Sequence, residues 1–341
     1  MAPGRFLTKL KMGVHIDLLG IHPSEDVIVS KESEQVITVQ HLVKRYGDFV
    51  AVNDVSFSIK EGEIFGIIGP NGAGKTTAVE CISGLRVPDS GSISISGLSP
   101  QKERNRIREF LGVQLQESSM PPRLKVGEAV ELFASFYPNP VDPDGLLETL
   151  GIKNVKNSIF KKLSGGQKQK LSIALALVGN PKIAILDELT TGLDPEARRE
   201  TWALIESVRD HGVTVILVTH FMDEAERLCD RLALINHGKL AVLDTPEAIA
   251  ALAGGNRVRF VPSQPVDDKT LYGISGVVEV DRKERYITVT GTGDLAASVI
   301  NSLARIGVHV SDIEARRGNL DDAFVKLTKD DASGASGGVQ R

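Results

Sequence analysis

Gly69-Pro70-Asn71-Gly72-Ala73-Gly74-Lys75-Thr76-Thr77 is the stretch of sequence that decides the fold. It has the spacing G-x-x-x-x-G-K-T. It lies between residues 63–68, which predict a short buried strand, and residues 75–83, which predict a helix. The glycines let the backbone curl so that consecutive N–H groups and the positive end of the helix dipole point at a phosphate. In this setting the motif predicts a binding loop for a nucleoside triphosphate.

Several side chains of this loop are expected to contact the triphosphate and its Mg²⁺ ion. Lys75 supplies a point charge for the β- and γ-phosphates, Thr76 offers a hydroxyl to the Mg²⁺ ion that bridges them, and Thr77 is a further phosphate contact. The remaining predicted contacts come from the loop itself: Gly69, Asn71, Gly72, Ala73 and Gly74. An ordinary glycine-rich turn is the competing interpretation, and the complete motif between a strand and a helix argues against it.

Length and composition describe an ordinary globular chain of roughly two domains. The 341 residues carry a formal net charge of −4 with a pI near 6.0, which does not indicate a nucleic-acid partner. Cys81 and Cys229 lie in predicted helices without metal-ligand spacing, so buried thiols are expected rather than a disulfide. No stretch approaches the roughly 18 apolar residues of a membrane-spanning helix.

Two carboxylates follow a second predicted buried strand. Residues 183–188 read Ile-Ala-Ile-Leu-Asp-Glu, and a continuous apolar run is typical of a strand buried on both faces. Because ligands bind at the carboxyl edge of open α/β sheets, the acids are expected beside the phosphate loop. Asp187 is predicted to hold Mg²⁺, directly or through water, and Glu188 to orient or deprotonate the attacking water.

A second small-residue run precedes another predicted helix. Leu163-Ser164-Gly165-Gly166-Gln167 comes before the helical segment 168–178, so one polypeptide holds two helix starts that suit an anion. In this pentapeptide the chain resembles the ATP-binding cassette (ABC) superfamily, whose signature motif it is. The resemblance implies an α/β fold of the P-loop NTPase type, with a mixed sheet core, an antiparallel β subdomain and a helical subdomain, over residues 36–254. It also implies that ATP is the nucleotide.

The other family motifs occur in the expected order. Tyr46 matches the aromatic residue that stacks on adenine, against the alternative of a surface tyrosine. Gln116 matches the glutamine that contacts Mg²⁺ and the catalytic water; Gln114 competes for this role, and the spacing from Gly112 favours Gln116. Asp194 matches the loop that communicates across a dimer.

A histidine follows the predicted buried strand that comes after the two acids. His220 ends the predicted strand 213–219 and matches the switch histidine that contacts the γ-phosphate. Leu189 departs from the family, which usually has proline after the catalytic glutamate, and proline would restrict the local backbone. The departure removes no catalytic group.

The resemblance also implies that a single chain is incomplete. In the family the signature motif Ser164, Gly165, Gly166 and Gln167 completes the ATP site of the opposite subunit. The sequence has one phosphate loop, one signature and no internal repeat, so a homodimer is predicted. Residues 126–137 lie in a helix-rich insertion of the kind that contacts a membrane permease. We therefore expect a separate permease and a cytoplasmic location on the inner face of the cell membrane.

The regions outside residues 36–254 are predicted separately. Residues 1–35 form an N-terminal extension without an assigned role. Residues 255–330 predict a small α+β accessory domain of the order βαββαβ followed by a final helix, 320–329. Its helix 294–307 has an apolar stripe with Asp294 as N-cap and Gly307 as the stop. Residues 331–341 are rich in Gly, Ser and Ala and predict a disordered tail.

The leading functional prediction is the ATPase subunit of an exporter of a drug, antibiotic or lipid-like compound. Residues 319–324 resemble the closing segment of ATPase subunits from bacterial drug and antibiotic exporters. Two alternatives stay open at this point. One is a mechanical ABC ATPase outside transport, and the other is an importer ATPase with a regulatory C-terminal domain.

Overall fold

The computed structural model describes residues 34–114, 120–252, 255–316 and 318–333. Gln116 lies outside the described residues. So do residues 1–33 of the predicted extension and residues 334–341 of the predicted tail. The predicted tail also includes residues 331–333, which belong to the last helix of the structure.

The described residues form thirteen strands and eleven α-helices. The strands are β1 Gln35–Tyr46, β2 Phe49–Lys60, β3 Ile64–Ile68, β4 Ser90–Ile95, β5 Leu111–Gln114, β6 Ile183–Asp187, β7 Thr214–Thr219, β8 Arg231–Asn236, β9 Lys239–Asp244, β10 Asn256–Pro262, β11 Val277–Lys283, β12 Tyr286–Gly291 and β13 Val310–Arg316. The helices are α1 Lys75–Ile82, α2 Arg104–Arg108, α3 Val126–Ala134, α4 Pro143–Thr149, α5 Gly165–Leu177, α6 Pro195–Asp210, α7 Met222–Leu228, α8 Pro246–Ala251, α9 Asp268–Tyr272, α10 Leu295–Arg305 and α11 Leu320–Ser333.

The central sheet has the strand order β5-β6-β7-β3-β8-β9. Its first five strands are parallel, and β9 pairs antiparallel with β8. Every residue of β3, β6 and β7 is buried, as continuous apolar runs predict for strands covered on both faces. Because β6 and β7 are parallel neighbours, the residues that follow their carboxyl ends emerge side by side.

A three-stranded antiparallel sheet with the order β2-β1-β4 packs against one face of the central sheet. The Phe57 ring of β2 stacks on the Phe65 ring of β3, with 5.2 Å between ring centroids. Side chains from both sheets and from α1 share one hydrophobic cluster, which includes Ile37, Val79 and Ile216. This packing turns the hairpin between β1 and β2 toward the loop that precedes α1.

The helical insertion between β5 and β6 packs on the opposite face of the central sheet. Val126 and Val130 of α3 are buried in a second hydrophobic cluster with residues of α5 and β6. Leu132 and Phe136 are exposed instead, so the apolar residues of 126–137 are divided between core and surface. The observed helix α3 also ends at Ala134, before the end of this segment.

The C-terminal segment forms a four-stranded antiparallel sheet with the order β11-β12-β10-β13. From β10 to β13 the elements follow the predicted order βαββαβ. Asp294 accepts a hydrogen bond from Ala297 N and caps α10, whose apolar face is buried on this sheet. The small sheet therefore has its own hydrophobic core.

The final helix departs from the predicted boundary. We expected residues 320–329 to belong to the accessory domain, but Leu320 and Ala323 of α11 are buried in the cluster that contains Leu228 and Ile249 of the larger domain. The Leu320 backbone N–H also donates to the Glu226 side chain. The sequence predicted this helix, but not which core buries it.

Two further sequence predictions concern cysteines and membrane spans. Cys81 and Cys229 are free and buried, and burial raises the pKa of the Cys81 thiol to about 11. Within the described ranges no helix has both the length and the apolar character needed to cross a bilayer.

Candidate functional site

The phosphate loop connects the carboxyl end of β3 to the first residue of α1. Gly74 has φ +102° and precedes α1 directly. A Cβ atom on Gly74 would lie 2.1 Å from the Ala51 carbonyl oxygen of β2, so a glycine is required at this point. The loop is therefore shaped by its own sequence and by the strand packed behind it.

Lys75 lies at the centre of the loop with its side chain almost fully buried. Its Nζ donates to the carbonyl oxygens of Gly69 at 2.9 Å and Pro70 at 3.1 Å. Burial lowers the pKa of Lys75, and the negative charges of Glu188 and Asp187 partly oppose this effect. The ammonium is held within the loop, near Asp187 and Glu188, the two acids that the sequence predicts at the site.

A cavity of about 360 Å³ opens over the loop. Its lining contains eight of the predicted site residues, namely Tyr46, Asn71, Gly72, Gly74, Lys75, Thr76, Thr77 and Glu188. Two predicted loop residues lie elsewhere: Ala73 is buried in the core beneath the loop, and Gly69 approaches the Ile235 carbonyl of β8. These two shape the loop rather than line the cavity.

Two aromatic side chains form the other end of the cavity. Tyr46 ends β1 and pairs with Phe49, the first residue of β2, across a tight hairpin. Tyr46 therefore lies inside the strand pair, at the turn. The Lys44 ammonium and the Arg86 guanidinium lie 5.7 and 5.4 Å from the centroid of the Tyr46 ring. Electron-rich ring faces attract such cations.

Phe49 lines the cavity beside Tyr46 and was not among the predicted site residues. Its side chain is 61% exposed, although large aromatic residues are usually buried. The sequence does contain a signal, because an aromatic residue on each side of Gly47-Asp48 places both rings at one hairpin end.

Glu188 and His220 meet because β6 and β7 are parallel neighbours. Glu188 follows β6 with φ +50°, and its backbone N–H donates to the Val218 carbonyl of β7 at 2.9 Å. His220 follows β7, and its Nδ1 lies 3.3 Å from Glu188 Oε1. The His220 ring also packs on Phe221, with 4.2 Å between centroids. The structure therefore brings together the predicted general base and the predicted switch histidine.

Asp187 is the last residue of β6 and is 1% exposed. Within the described part of the chain neither of its carboxylate oxygens accepts a hydrogen bond. Burial raises the pKa of Asp187 to about 6, the neighbouring charge of Glu188 raises it further, and Lys75 opposes the rise. A buried carboxylate without donors is costly unless a cation compensates it. These oxygens therefore fit a divalent cation.

The oxygen ligands that Asp187 and Thr76 offer also suit Mg²⁺. Thr76 is the second residue of α1, directly after Lys75, and it lines the cavity. Within the described ranges no group of three His, Cys, Asp or Glu side chains is arranged to hold a metal. Mg²⁺ is typically bound by one or two protein oxygens with phosphates and water completing its shell. Asp187 and Thr76 would be its protein ligands.

We expect Asp187→Asn to stabilise the protein in the absence of nucleotide and metal while it impairs hydrolysis. The folded-state pKa, about 6, lies above the ordinary value of 3.8. The ionised carboxylate therefore destabilises the fold above about pH 6, and this cost disappears as the pH falls toward 4. Removing it is worth about 1–3 kcal/mol.

Thermal unfolding at pH 8 and pH 5 checks this prediction. The Tm of Asp187→Asn should exceed that of the unsubstituted protein at pH 8, and the difference should shrink at pH 5. A Tm that is lower by the same amount at both pH values would show that the carboxylate carries no such cost.

Gln114, the alternative to Gln116, has a structural position. It ends β5 and is buried, and its Oε1 accepts a hydrogen bond from the Asp187 backbone N–H at 3.1 Å. Gln114 thereby fixes the end of β6 from the neighbouring strand. Because Gln116 lies outside the described residues, its predicted contact with Mg²⁺ and water stays a prediction.

The signature residues do not line the cavity over Lys75. Ser164 caps α5: its Oγ accepts from Gln167 N at 3.2 Å, and Gln167 Oε1 accepts from Ser164 N at 3.0 Å. This is the reciprocal capping box. Ser164 and Gly165 are exposed at the start of the helix. A helix does begin where the sequence predicts a second anion-binding helix start, but this start is separate from the first.

Asp194 is likewise outside the cavity lining and is exposed. Its Oδ1 accepts from the backbone N–H groups of Glu196 and Ala197, both at 3.0 Å, and so caps α6. Leu189, where the family usually has proline, is fully buried. Its carbonyl accepts a hydrogen bond from the Gln169 side chain of α5. The loop after Glu188 is thus held by the helix that carries the signature.

Known proteins similar in sequence to this chain come from one family. The family model described as ABC transporter matches residues 52–191. The daunorubicin resistance ATP-binding protein DrrA3 of Streptomyces coeruleorubidus is 32% identical over 308 residues, which are 88% of this chain and 98% of that protein. The Nod factor export ATP-binding protein I of Burkholderia thailandensis is 40% identical over 300 residues, covering 86% and 96% of the two chains.

Solved structures extend the comparison to the fold. An ATP-binding subunit of an ABC transporter superposes with a TM-score of 0.58 at 28% identity and covers 63% of this chain and 91% of its own. The ATP-binding cassette MJ0796, solved as a dimer in a post-hydrolysis state with ADP and phosphate, superposes with a TM-score of 0.55 at 27% identity, covering 61% and 98%. Both support the α/β architecture of the nucleotide-binding region.

Proposed function

Because this chain belongs to the ABC transporter family of ATP-binding proteins, we propose that it is the ATPase subunit that powers export through a separate membrane permease. The proximity of Lys75, Asp187, Glu188 and His220 at one sheet edge carries the ATPase part of this proposal. The export part is supported by the names of relatives, which describe drug resistance and Nod factor export.

The cavity suggests how the chain holds ATP. Adenine stacks on the Tyr46 ring, with Phe49 beside it, at the hairpin end of the cavity. The triphosphate lies along the loop, where backbone N–H groups, Lys75 and the start of α1 supply the donors. A bound Mg²⁺ neutralises phosphate charge, with Thr76 and Asp187 as its protein ligands.

Glu188 and His220 are proposed to act on the water and the γ-phosphate. Glu188 accepts a proton from the attacking water, or orients it, and His220 contacts the γ-phosphate oxygens. His220 and Glu188 are already 3.3 Å apart, so each restricts the other's orientation. The positive φ of Glu188 turns its side chain away from the strand direction and into the cavity edge.

Two copies of the chain are proposed to share two ATP molecules. This is supported by the separation of the Ser164 helix start from the cavity over Lys75: within the described residues of one chain, the exposed start of α5 contributes nothing to the lining of that cavity. In a head-to-tail pair, the capped start of α5 from one copy would close the cavity of the other. The MJ0796 dimer, with ADP and phosphate, is consistent with such an arrangement.

We expect Ser164→Arg to abolish ATP-dependent dimerisation without abolishing ATP binding. The bulky cation would remove the cap of α5 and block the approach of a second chain. The effect is best seen in the Glu188→Gln background, where slow turnover keeps ATP in place. Size-exclusion chromatography with ATP should give a dimer for Glu188→Gln and a monomer for the double variant. A double variant that still dimerises would contradict the composite site.

Purification from the native cell in a mild detergent tests the transporter assignment. Recovery of the tagged chain with an integral membrane protein, at stoichiometric yield, is the expected result and would place the chain on the inner face of that membrane. An ATPase recovered with ribosomal or DNA-repair proteins would refute the export proposal and leave the catalytic assignment intact.

A further inference from the structure

Two cations contact the Tyr46 ring without lining the cavity. The Lys44 ammonium and the Arg86 guanidinium lie 5.7 and 5.4 Å from the ring centroid. The cavity lining includes Tyr46 and neither of these cations, so both contact the ring from outside the cavity. Lys44 belongs to the same strand as Tyr46, whereas Arg86 belongs to the loop between α1 and β4. The contact from Arg86 is therefore a tertiary contact between separate elements.

Arg86 is fixed to the end of α1 through Glu80. Its Nε donates to Glu80 Oε2, and its Nη2 donates to Glu80 Oε1 at 3.5 Å. The backbone N–H groups of Leu85 and Arg86 donate to the Glu80 carbonyl oxygen at 2.9 and 3.0 Å. Glu80 lies near the end of α1, and Lys75 of the phosphate loop is the first residue of that helix. One helix thus begins at the phosphate loop and ends at the arginine that contacts the Tyr46 ring.

The same loop also fixes the strand end that carries Tyr46. Asp89 Oδ2 accepts from the Arg45 backbone N–H at 2.6 Å, and Asp89 Oδ1 accepts from Lys44 Nζ at 3.2 Å. The Asp89 backbone N–H donates to the Val43 carbonyl oxygen at 2.8 Å. The backbone before Tyr46 is therefore held in place. Tyr46 itself is 41% exposed, so contacts with its ring decide where the ring points.

We infer that Arg86 is a positioning residue that holds the Tyr46 ring in place for stacking on adenine. A half-exposed aromatic side chain at a hairpin end can rotate between rotamers, and ordering it when ligand binds costs conformational entropy. The guanidinium attracts the ring from outside the cavity and leaves the cavity side of the ring for the base. The inference rests on the proposed function, because it concerns the ATP that the cavity is proposed to hold.

The first test is Arg86→Gln in the full-length chain, because glutamine removes the cation and keeps a polar side chain. We expect Kd for ADP and KM for ATP to rise about 3- to 10-fold, the range that loss of a cation–π contact allows. The value of kcat should change less than about 2-fold, since the base lies at the end of the cavity away from Glu188. Arg86→Lys keeps the positive charge and should recover most of the affinity. Isothermal titration calorimetry with ADP and steady-state ATPase assays supply these values.

A double-mutant cycle with Tyr46→Ala shows whether Arg86 acts through the ring. Tyr46→Ala removes the stacking surface and should raise Kd for ADP at least about 5-fold. In that background Arg86→Gln should raise Kd no further, because the ring that it positions is gone. An equal additional loss in the Tyr46→Ala background would show that Arg86 acts independently of the ring, and it would overturn the inference.

Inorganic triphosphate is a probe without a base. It competes with ATP for the phosphate loop, and its inhibition constant should be the same for Arg86→Gln and for the unsubstituted chain. A variant that disturbs α1, and with it the phosphate loop, would instead lose affinity for triphosphate and for ADP together. That result would assign Arg86 a role in stability alone and would overturn the inference.

Arg106→Gln is the matched control. Arg106 of α2 is also an exposed arginine paired with a glutamate, since its Nη1 lies 2.7 Å from Glu103 Oε1. Arg106 does not line the cavity, and among the described residues it is not one of the arginines that lie over an aromatic ring. Its substitution should leave Kd for ADP unchanged. Circular dichroism and Tm establish that each variant is folded, and Arg86→Met replaces Arg86→Gln, with the same expectations, if the latter does not fold.

Failure of the inference and failure of the proposed function give different results. If Tyr46→Ala leaves Kd for ADP unchanged, adenine does not stack on Tyr46, and the proposed ATP site is wrong at its base end. If Tyr46→Ala weakens ADP binding and folded Arg86→Gln does not, the proposed site stands and only the positioning role of Arg86 is refuted.

Discussion

Replacing Glu188 with glutamine should reduce ATP turnover by at least about 100-fold, the order of magnitude that general-base catalysis contributes. The amide has nearly the same shape as the carboxylate, but it cannot accept a proton from the attacking water. The hydrogen-bond distance to His220 can be kept, because glutamine still offers an oxygen acceptor at the same reach. The loss should therefore appear in kcat and not in ATP affinity.

Single-turnover and steady-state ATPase assays with a fluorescent ATP-binding measurement check this result. The variant should bind ATP at least as tightly as the unsubstituted chain and should retain it. Glu61→Gln is the control for charge removal, because Glu61 is exposed in the turn before β3, at the far end of that strand from the loop. Near-normal hydrolysis by Glu188→Gln would remove Glu188 as the base.

Lys75→Ala is the second substitution with a large expected effect, and it should differ in kind from the first. The ammonium is predicted to contact the β- and γ-phosphates, so its loss should weaken the binding of both the ground state and the transition state. We expect Kd for ATP to rise at least about 10-fold and kcat/KM to fall by at least about 100-fold. Glu188→Gln should leave ATP affinity intact, whereas Lys75→Ala should weaken it.

The fold should survive the Lys75 substitution. Burial lowers the pKa of Lys75, which means that the protein environment disfavours the charged form. Its removal leaves the Gly69 and Pro70 carbonyls without that donor but also removes a buried charge. Isothermal titration calorimetry with ATP and thermal unfolding separate the two effects. Lys60→Ala, at an exposed position that ends β2, is the control. Unchanged affinity and turnover would contradict the role of Lys75.

The phosphate loop illustrates what short-range sequence can predict. Its glycines, its lysine and the flanking strand and helix follow from neighbouring residues, because turn geometry and helix starts depend on local backbone preferences. The same holds for the helix start that follows Leu163 and for the order of elements in the C-terminal domain. These predictions needed no knowledge of distant contacts.

The hairpin aromatics illustrate the limit of that reasoning. Tyr46 was selected by resemblance, while Phe49 was missed although it is three residues away. Whether an aromatic ring at a hairpin end faces a cavity or a core depends on the sheet packed behind it. Gln114 is a similar case, because only the pairing of β5 with β6 shows that its side chain bonds the Asp187 backbone.

The sequence by itself determined the family, the α/β class and the phosphate loop, because these are encoded in contiguous motifs, and it singled out the two acids and the histidine by their places after buried strands. Tertiary structure alone decided which residues meet. The adjacency of β6 and β7 places His220 beside Glu188, and α11 joins the larger core instead of the smaller one. These arrangements depend on strand order and on burial between distant segments, and no local pattern carries that information.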